Sequence, residues 1–127
     1  MTGRRALSYG AALAETDPVA LSDACAPSVV FSFPGGSRLM VVGERDLRVA
    51  FGAMLEAYGD LRSVEELGDG DTQAIHVRGH AGSEDVHILR LDGWGKVEEI
   101  RVIGSHRCAG LAGLIARNVS ARIAQVA

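Results

Sequence analysis

Three of the four histidines, His76, His80 and His87, lie close together in the sequence, with Arg78 among them. In an extended chain from Thr72 to His80, side chains alternate between faces, so His76, Arg78 and His80 share one side while Ile75, Val77 and Gly79 share the other. If the first set turns inward, two imidazoles and a guanidinium join His87. Such a group could bind a carboxylate or stabilise an enolate, with a neutral imidazole moving protons near pH 7. If Ile75 and Val77 turn inward instead, as hydrophobicity alone favours, His76, Arg78 and His80 face solvent or a subunit interface. His87 shares a face with Leu89 and Ile100, which makes it either an acid or base in a cavity or a core histidine satisfied by its neighbours. Tyr9 has the same two readings, a pocket hydroxyl or a packing ring. His76 and His80 are four residues apart, about 13 Å along a strand, too far to share one metal ion. No Gly-x-Ser-x-Gly elbow is present and Cys108 has no evident activating base, so neither a metal nor nucleophilic catalysis is expected, and no cofactor.

The stretch that must position His87 runs from Asp85 to Ile103. Val86, Ile88, Leu89, Leu91, Val97, Ile100, Val102 and Ile103 favour a pleated, half-buried surface, and Asp92-Gly93-Trp94-Gly95 supplies a turn. With Leu91 opposite Lys96, Leu89 falls across from Glu98 and His87 across from Ile100. The opposite face then carries Val86, Ile88, Arg90, Val97, Glu99, Arg101 and Ile103. Both faces are partly apolar, so one is expected against helices of the same chain and the other against a second copy. Glu99 with Arg90 or Arg101 reads as a surface or interface pair.

The remaining elements read in order. Residues 4 to 15 form a helix carrying Tyr9, and Asp17 with Pro18 opens a short helix over Val19 to Cys25. Ser28 to Phe33 is a strand, closed by Pro34-Gly35-Gly36, and Leu39 to Val42 a shorter one. Apolar residues at Leu47, Phe51, Met54, Leu55 and Tyr58 define one face of a long helix over Glu44 to Tyr58. Leu61 to Leu67 and Thr72 to His80 are strands, and residues 108 to 126 form a C-terminal amphipathic helix. Helices first and consecutive antiparallel strands afterwards give an α+β class, a curved sheet wrapped around the N-terminal helices and the long helix.

With 127 residues the chain fits one domain. The net charge of −3 comes from well-mixed charges, which leaves no footprint for nucleic acid or an anionic membrane. Cys25 and Cys108 match no metal or redox spacing and read as buried thiols in a reducing compartment. No run approaches membrane-spanning length, so a cytoplasmic protein is expected.

Three segments carry a family resemblance. Tyr9-x-x-Ala12-Leu13-Ala14-x-x-Asp17-Pro18 is like a first helix and helix break, Gly43-Glu44-Arg45-Asp46-Leu47 like the entry to a long helix, and Leu89-Arg90-Leu91-Asp92-Gly93-Trp94-Gly95-Lys96-Val97 like a penultimate hairpin. In this order and spacing, over residues 5 to 104, they resemble the nuclear-transport-factor-2-like superfamily, in its ketosteroid isomerase and SnoaL-like cyclase branches. The resemblance implies a cone-shaped barrel around an apolar cavity, in homodimers packed through the outer sheet face. In ketosteroid isomerases the cavity holds a carboxylate base, a tyrosine and a protonated aspartic acid. Position by position, the tyrosine falls on Tyr9, the protonated acid on His87, and the base on Phe33 or Ser32. Neither of the last two can take a proton from carbon, so steroid isomerisation by the usual mechanism is not expected.

These readings converge on a small-molecule enzyme that assists cyclisation or isomerisation of a polyketide-, terpenoid- or steroid-like substrate by proton transfer. Tyr9, His87, His76 and Arg78 are the candidate catalytic residues. Phe31, Phe33, Met54, His80, Leu89, Trp94 and Ile100 are the candidate pocket or rim. Two alternatives stand beside it: an epoxide hydrolase of the same fold, drawing on Arg78, and a non-catalytic ligand-binding or dimerisation module.

Overall fold

A computed structural model describes residues 8–33, 38–69, 72–79 and 84–104. His80, Cys108, the first residues of the N-terminal helix, the Pro34-Gly35-Gly36 turn and the C-terminal helix over 108–126 lie outside the described residues. Nine elements follow in order: α1 (Tyr9–Ala14), α2 (Pro18–Asp23), β1 (Cys25–Ser32), β2 (Arg38–Val42), α3 (Glu44–Tyr58), β3 (Ser63–Asp69), β4 (Thr72–Arg78), β5 (Glu84–Leu91) and β6 (Val97–Gly104).

Local chemistry sets the helix starts. Ser8 caps α1 by accepting from the Ala11 amide, and Asp17 caps α2 by accepting from the Val19 and Ala20 amides, with Pro18 at the first helical position. Helix α2 stops at Asp23, so Cys25 belongs to β1, which begins three residues earlier than the Ser28 start read from sequence. Pro27 is accommodated there because the β1–β6 pairing is irregular between Cys25 and Val30, where a residue without an N–H breaks no ladder bond.

The six strands form one mixed sheet in the order β2-β1-β6-β5-β4-β3, with β1 and β6 parallel and the other pairs antiparallel. Its inner face packs on the helices through Phe31, Ile75, Val77, Leu89, Ile100 and Val102 from the sheet, and Leu13, Leu47, Phe51 and Met54 from α1 and α3. Rings interlock at the centre, with Phe31 edge-on to Phe51 at 5.6 Å and Phe51 edge-on to Tyr9 at 6.1 Å between centroids.

The β5–β6 register differs from the expected one by two residues. Leu89 pairs with Ile100 and His87 with Val102, whereas Leu91 pairs with Val97 across an irregularity at Arg90/Leu91. One residue of the shift comes from a longer turn. The other is Glu98, the extra residue of a bulge in β6. An even shift preserves the alternation, so His87, Leu89 and Ile100 keep a common, inward face. The bulge also reverses Val97, expected on the outer face and found 2% exposed in the core. The turn is fixed by Asp92, whose Oδ1 accepts from the Trp94 and Lys96 amides, and by Gly95 at φ +78°.

Candidate active site

The inner face of β5 presents Asp85, His87 and Leu89, and His87 is completely buried. Its two ring nitrogens meet the two tyrosines of the chain. Tyr9 Oη lies 2.7 Å from Nδ1 and Tyr58 Oη 2.7 Å from Nε2. Tyr9 is the first residue of α1, held there by the Ser8 cap, and Tyr58 is the last residue of α3. The helix pair and the sheet therefore clamp one imidazole from both sides. Its ring centroid is 5.8 Å from that of each tyrosine.

Protonation follows from burial. Desolvation pushes His87 down to about 4 from 6.5, with the Asp85 carboxylate pulling the other way. Desolvation, then the nearby Cys25, raises Tyr9 well above 10. At neutral pH the imidazole and the Tyr9 phenol are therefore both neutral. A neutral imidazole brings one N–H and two phenols bring two O–H groups, so three hydrogens serve two links and one O–H is left to donate outward. With the ring hydrogen on Nδ1, donating to Tyr9 Oη, that surplus hydrogen belongs to Tyr9. Tyr9 is a wall of a cleft of about 310 Å³, which it shares with Ser8, Ala24, Gln73, Leu91, Trp94, Gly95, Lys96 and Val97. The cluster can thus offer a hydrogen bond to developing negative charge and relay a proton through the ring.

Phe31, Phe33, Met54, Leu89 and Ile100 are placed in the interior, all buried. His76 and Arg78 are not. Ile75 and Val77 occupy the inner face of β4, and His76 and Arg78 lie on the outer face, where His76 Nε2 is 2.8 Å from Glu84 Oε1 and Arg78 Nε is 3.8 Å from Glu84 Oε2. The preference is hydrophobic: turning the strand over would bury a guanidinium and expose two aliphatic side chains. Mutating both His76 and Arg78 to Ala is expected to leave ligand affinity at the buried cluster within about twofold, as an exposed ion-pair set contributes little; isothermal titration checks this. The epoxide hydrolase alternative, which draws on Arg78, loses its guanidinium by the same orientation.

Trp94 stands on a rim. It is 89% exposed at the hairpin tip, flanking the Tyr9 cleft and a second cleft of about 620 Å³ that includes Cys25, Leu47 and Lys96. Arg90 Nη1 lies 3.3 Å from Glu99 Oε1, the outer-face pair expected from sequence. Tyr58 and Asp85 are the polar residues of the site that sequence reasoning missed. The signal for Tyr58 was its place at the end of the α3 apolar stripe, a polar tip aimed at the core. Among the described residues no group of three or more His, Cys, Asp or Glu could hold a metal ion, and no helix is long and apolar enough to cross a membrane.

Comparison with known proteins identifies the frame. The fold is similar to that of an uncharacterized cystatin-like-fold protein from Silicibacter pomeroyi, at 15% identity and TM-score 0.66, covering 89% of this chain and 82% of that one. It is similar to a steroid delta-isomerase from Pseudomonas aeruginosa, at 17% identity and TM-score 0.61, covering 89% and 87%. A SnoaL-like protein of unknown function from Burkholderia thailandensis aligns at 19% identity and TM-score 0.61, covering 77% and 88%. Among curated proteins no sequence match is found. The α+β cone with its mixed curved sheet is thus the nuclear-transport-factor-2-like fold. The model of the SnoaL-like domain matches residues 6–118, and the chain belongs to that family.

Proposed function

We propose that the protein is an isomerase- or cyclase-type enzyme acting on an apolar small molecule, polyketide-, terpenoid- or steroid-like, whose reacting carbonyl becomes an enolate. The observation that carries this reading is the buried Tyr9–His87–Tyr58 chain. Tyr9 donates to the enolate oxygen, Tyr58 and His87 polarise that donor, and the ring exchanges protons with Tyr9. The substrate approaches Tyr9 through the cleft beside Lys96 and Trp94. A hydrogen bond in a water-poor site is worth far more to an oxyanion than to a ground-state carbonyl, which is the condition for rate enhancement.

The test uses 2-naphthol as a probe whose oxygen mimics the enolate. The wild-type protein is expected to bind it and to favour its anionic form. Tyr9→Phe weakens binding about tenfold to a hundredfold, the loss of one charge-assisted hydrogen bond. Equal affinity in both proteins overturns the role given to Tyr9. Saturable binding with no turnover of any carbonyl substrate would leave a binding module.

We further propose that the working unit is a cytoplasmic homodimer joined through the outer sheet face. Exposed Met40, Val42, Leu67 and Ile103 and half-buried Val86 and Ile88 support this. Ile103→Glu, placed in that face, should convert a dimer to a monomer in analytical ultracentrifugation.

A further inference from the structure

We propose that Asp85 is a positioning residue for His87, its carboxylate seated on the same inner face so that it stabilises the imidazolium formed when the ring takes up a proton. The proposal rests on the reading that His87 moves protons in this site. Asp85 and His87 are two residues apart on β5, on one face, about 7 Å apart by strand rise. Both are buried, Asp85 at 3% exposure.

The seat is made by Gly104, the partner of Asp85 across the β5–β6 ladder. A Cβ at residue 104 would collide with Asp85 Oδ1 and stand 2.6 Å from the Glu84 carbonyl oxygen, so the carboxylate occupies the place that a side chain on β6 would take. Among the described residues the ring's other neighbours are uncharged. Tyr9 faces it from α1 and Tyr58 from α3. Ile75 on β4 and Val102 on β6 are its ladder neighbours. Cys25 bears on Tyr9 and not on the ring. Among the described residues, Asp85 is the one group whose charge acts on the imidazole, favouring its protonated form against burial.

The step this serves balances simply. With the ring hydrogen on Nε2, Tyr9 gives its hydroxyl proton to Nδ1 as its oxygen takes the hydroxyl proton of the substrate's enol form, leaving the enolate oxygen hydrogen-bonded to the Tyr9 O–H. Tyr9 stays neutral and His87 becomes imidazolium. The positive charge is then stabilised by the Asp85 carboxylate, and reversal returns the proton to the enolate oxygen. Without Asp85 that imidazolium would stand alone in a desolvated site.

Ring-labelled histidine in the full chain, followed by NMR through an acid titration, tests this. The His87 midpoint, about 4 in the wild type, should fall by about one to two pH units in Asp85→Asn and return in Asp85→Glu, the size expected of one charge at this separation in a protein interior. An unchanged midpoint in a folded Asp85→Asn protein overturns the proposal. If Asp85→Asn does not fold, Asp85→Ser gives the same answer, since it removes the same charge with a smaller side chain. The His87 midpoint should fall there by the same amount; an unchanged midpoint in a folded Asp85→Ser protein overturns the proposal. Naphthol affinity that ignores Tyr9→Phe while this coupling persists sinks the functional reading and leaves the Asp85 assignment standing.

Discussion

Replacing His87 by Leu should destabilise the fold by about 2 to 5 kcal/mol and reduce naphthol binding about a hundredfold, because two buried phenols lose the ring they share. Leu fills a similar volume, so the cost is polar and not a cavity. Tyr9 Oη and Tyr58 Oη each lose the nitrogen that satisfies them at 2.7 Å. Each buried hydroxyl deprived of a partner costs about 1 to 3 kcal/mol, whereas removing all partners together is nearly neutral. The triple variant Tyr9→Phe, His87→Leu, Tyr58→Phe should therefore recover much of the stability lost by His87→Leu alone, while recovering no binding. Urea denaturation of the two variants and the wild type measures this non-additivity. A triple variant less stable than the single one by the full sum of three deletions would show that the three groups do not act as a unit.

The sequence reading succeeded where one periodicity dominated. The α3 stripe of Leu47, Phe51, Met54, Leu55 and Tyr58 predicts Glu44–Tyr58, the bounds observed, since a 3.6-residue period has no competing reading over that length. The inward face of β5 survived a two-residue error in register, because side-chain alternation depends only on parity. Val97 did not survive it, as a bulge is invisible to a pattern that assumes regular pairing. On β4 the hydrophobic alternation of Ile75 and Val77 was the correct guide, and the chemistry suggested by His76 and Arg78 pointed the wrong way. The site itself was half legible. Tyr9 and His87 are 78 residues apart, and family-like segments suggested both without showing that they touch. Tyr58 was counted as an apolar ring because its spacing matched the helix stripe. That a single imidazole collects both phenols depends on where three elements converge, which no local pattern encodes.

The same neutral imidazole makes stability depend on pH in a specific window. Burial lowers His87 to about 4 in the folded chain, against 6.5 for an exposed imidazole. Between these values the unfolded chain holds the proton that the folded chain refuses, so stability rises with pH there. His87 therefore has its full stability above about pH 6.5 and loses it progressively as pH falls toward 4, where the folded form also begins to protonate. A difference of about two and a half pH units corresponds to about 3 kcal/mol. Other groups titrate in this range, so the measurement is a comparison: denaturant midpoints of the wild type and of His87→Gln, which keeps hydrogen-bonding atoms near the phenols but carries no titrating ring. The wild type should lose about 3 kcal/mol more than His87→Gln between pH 7 and pH 4. Parallel curves would mean that the ring is hydrated in the folded chain, and a hydrated imidazole could not be the neutral link between two phenols on which the proposed chemistry depends.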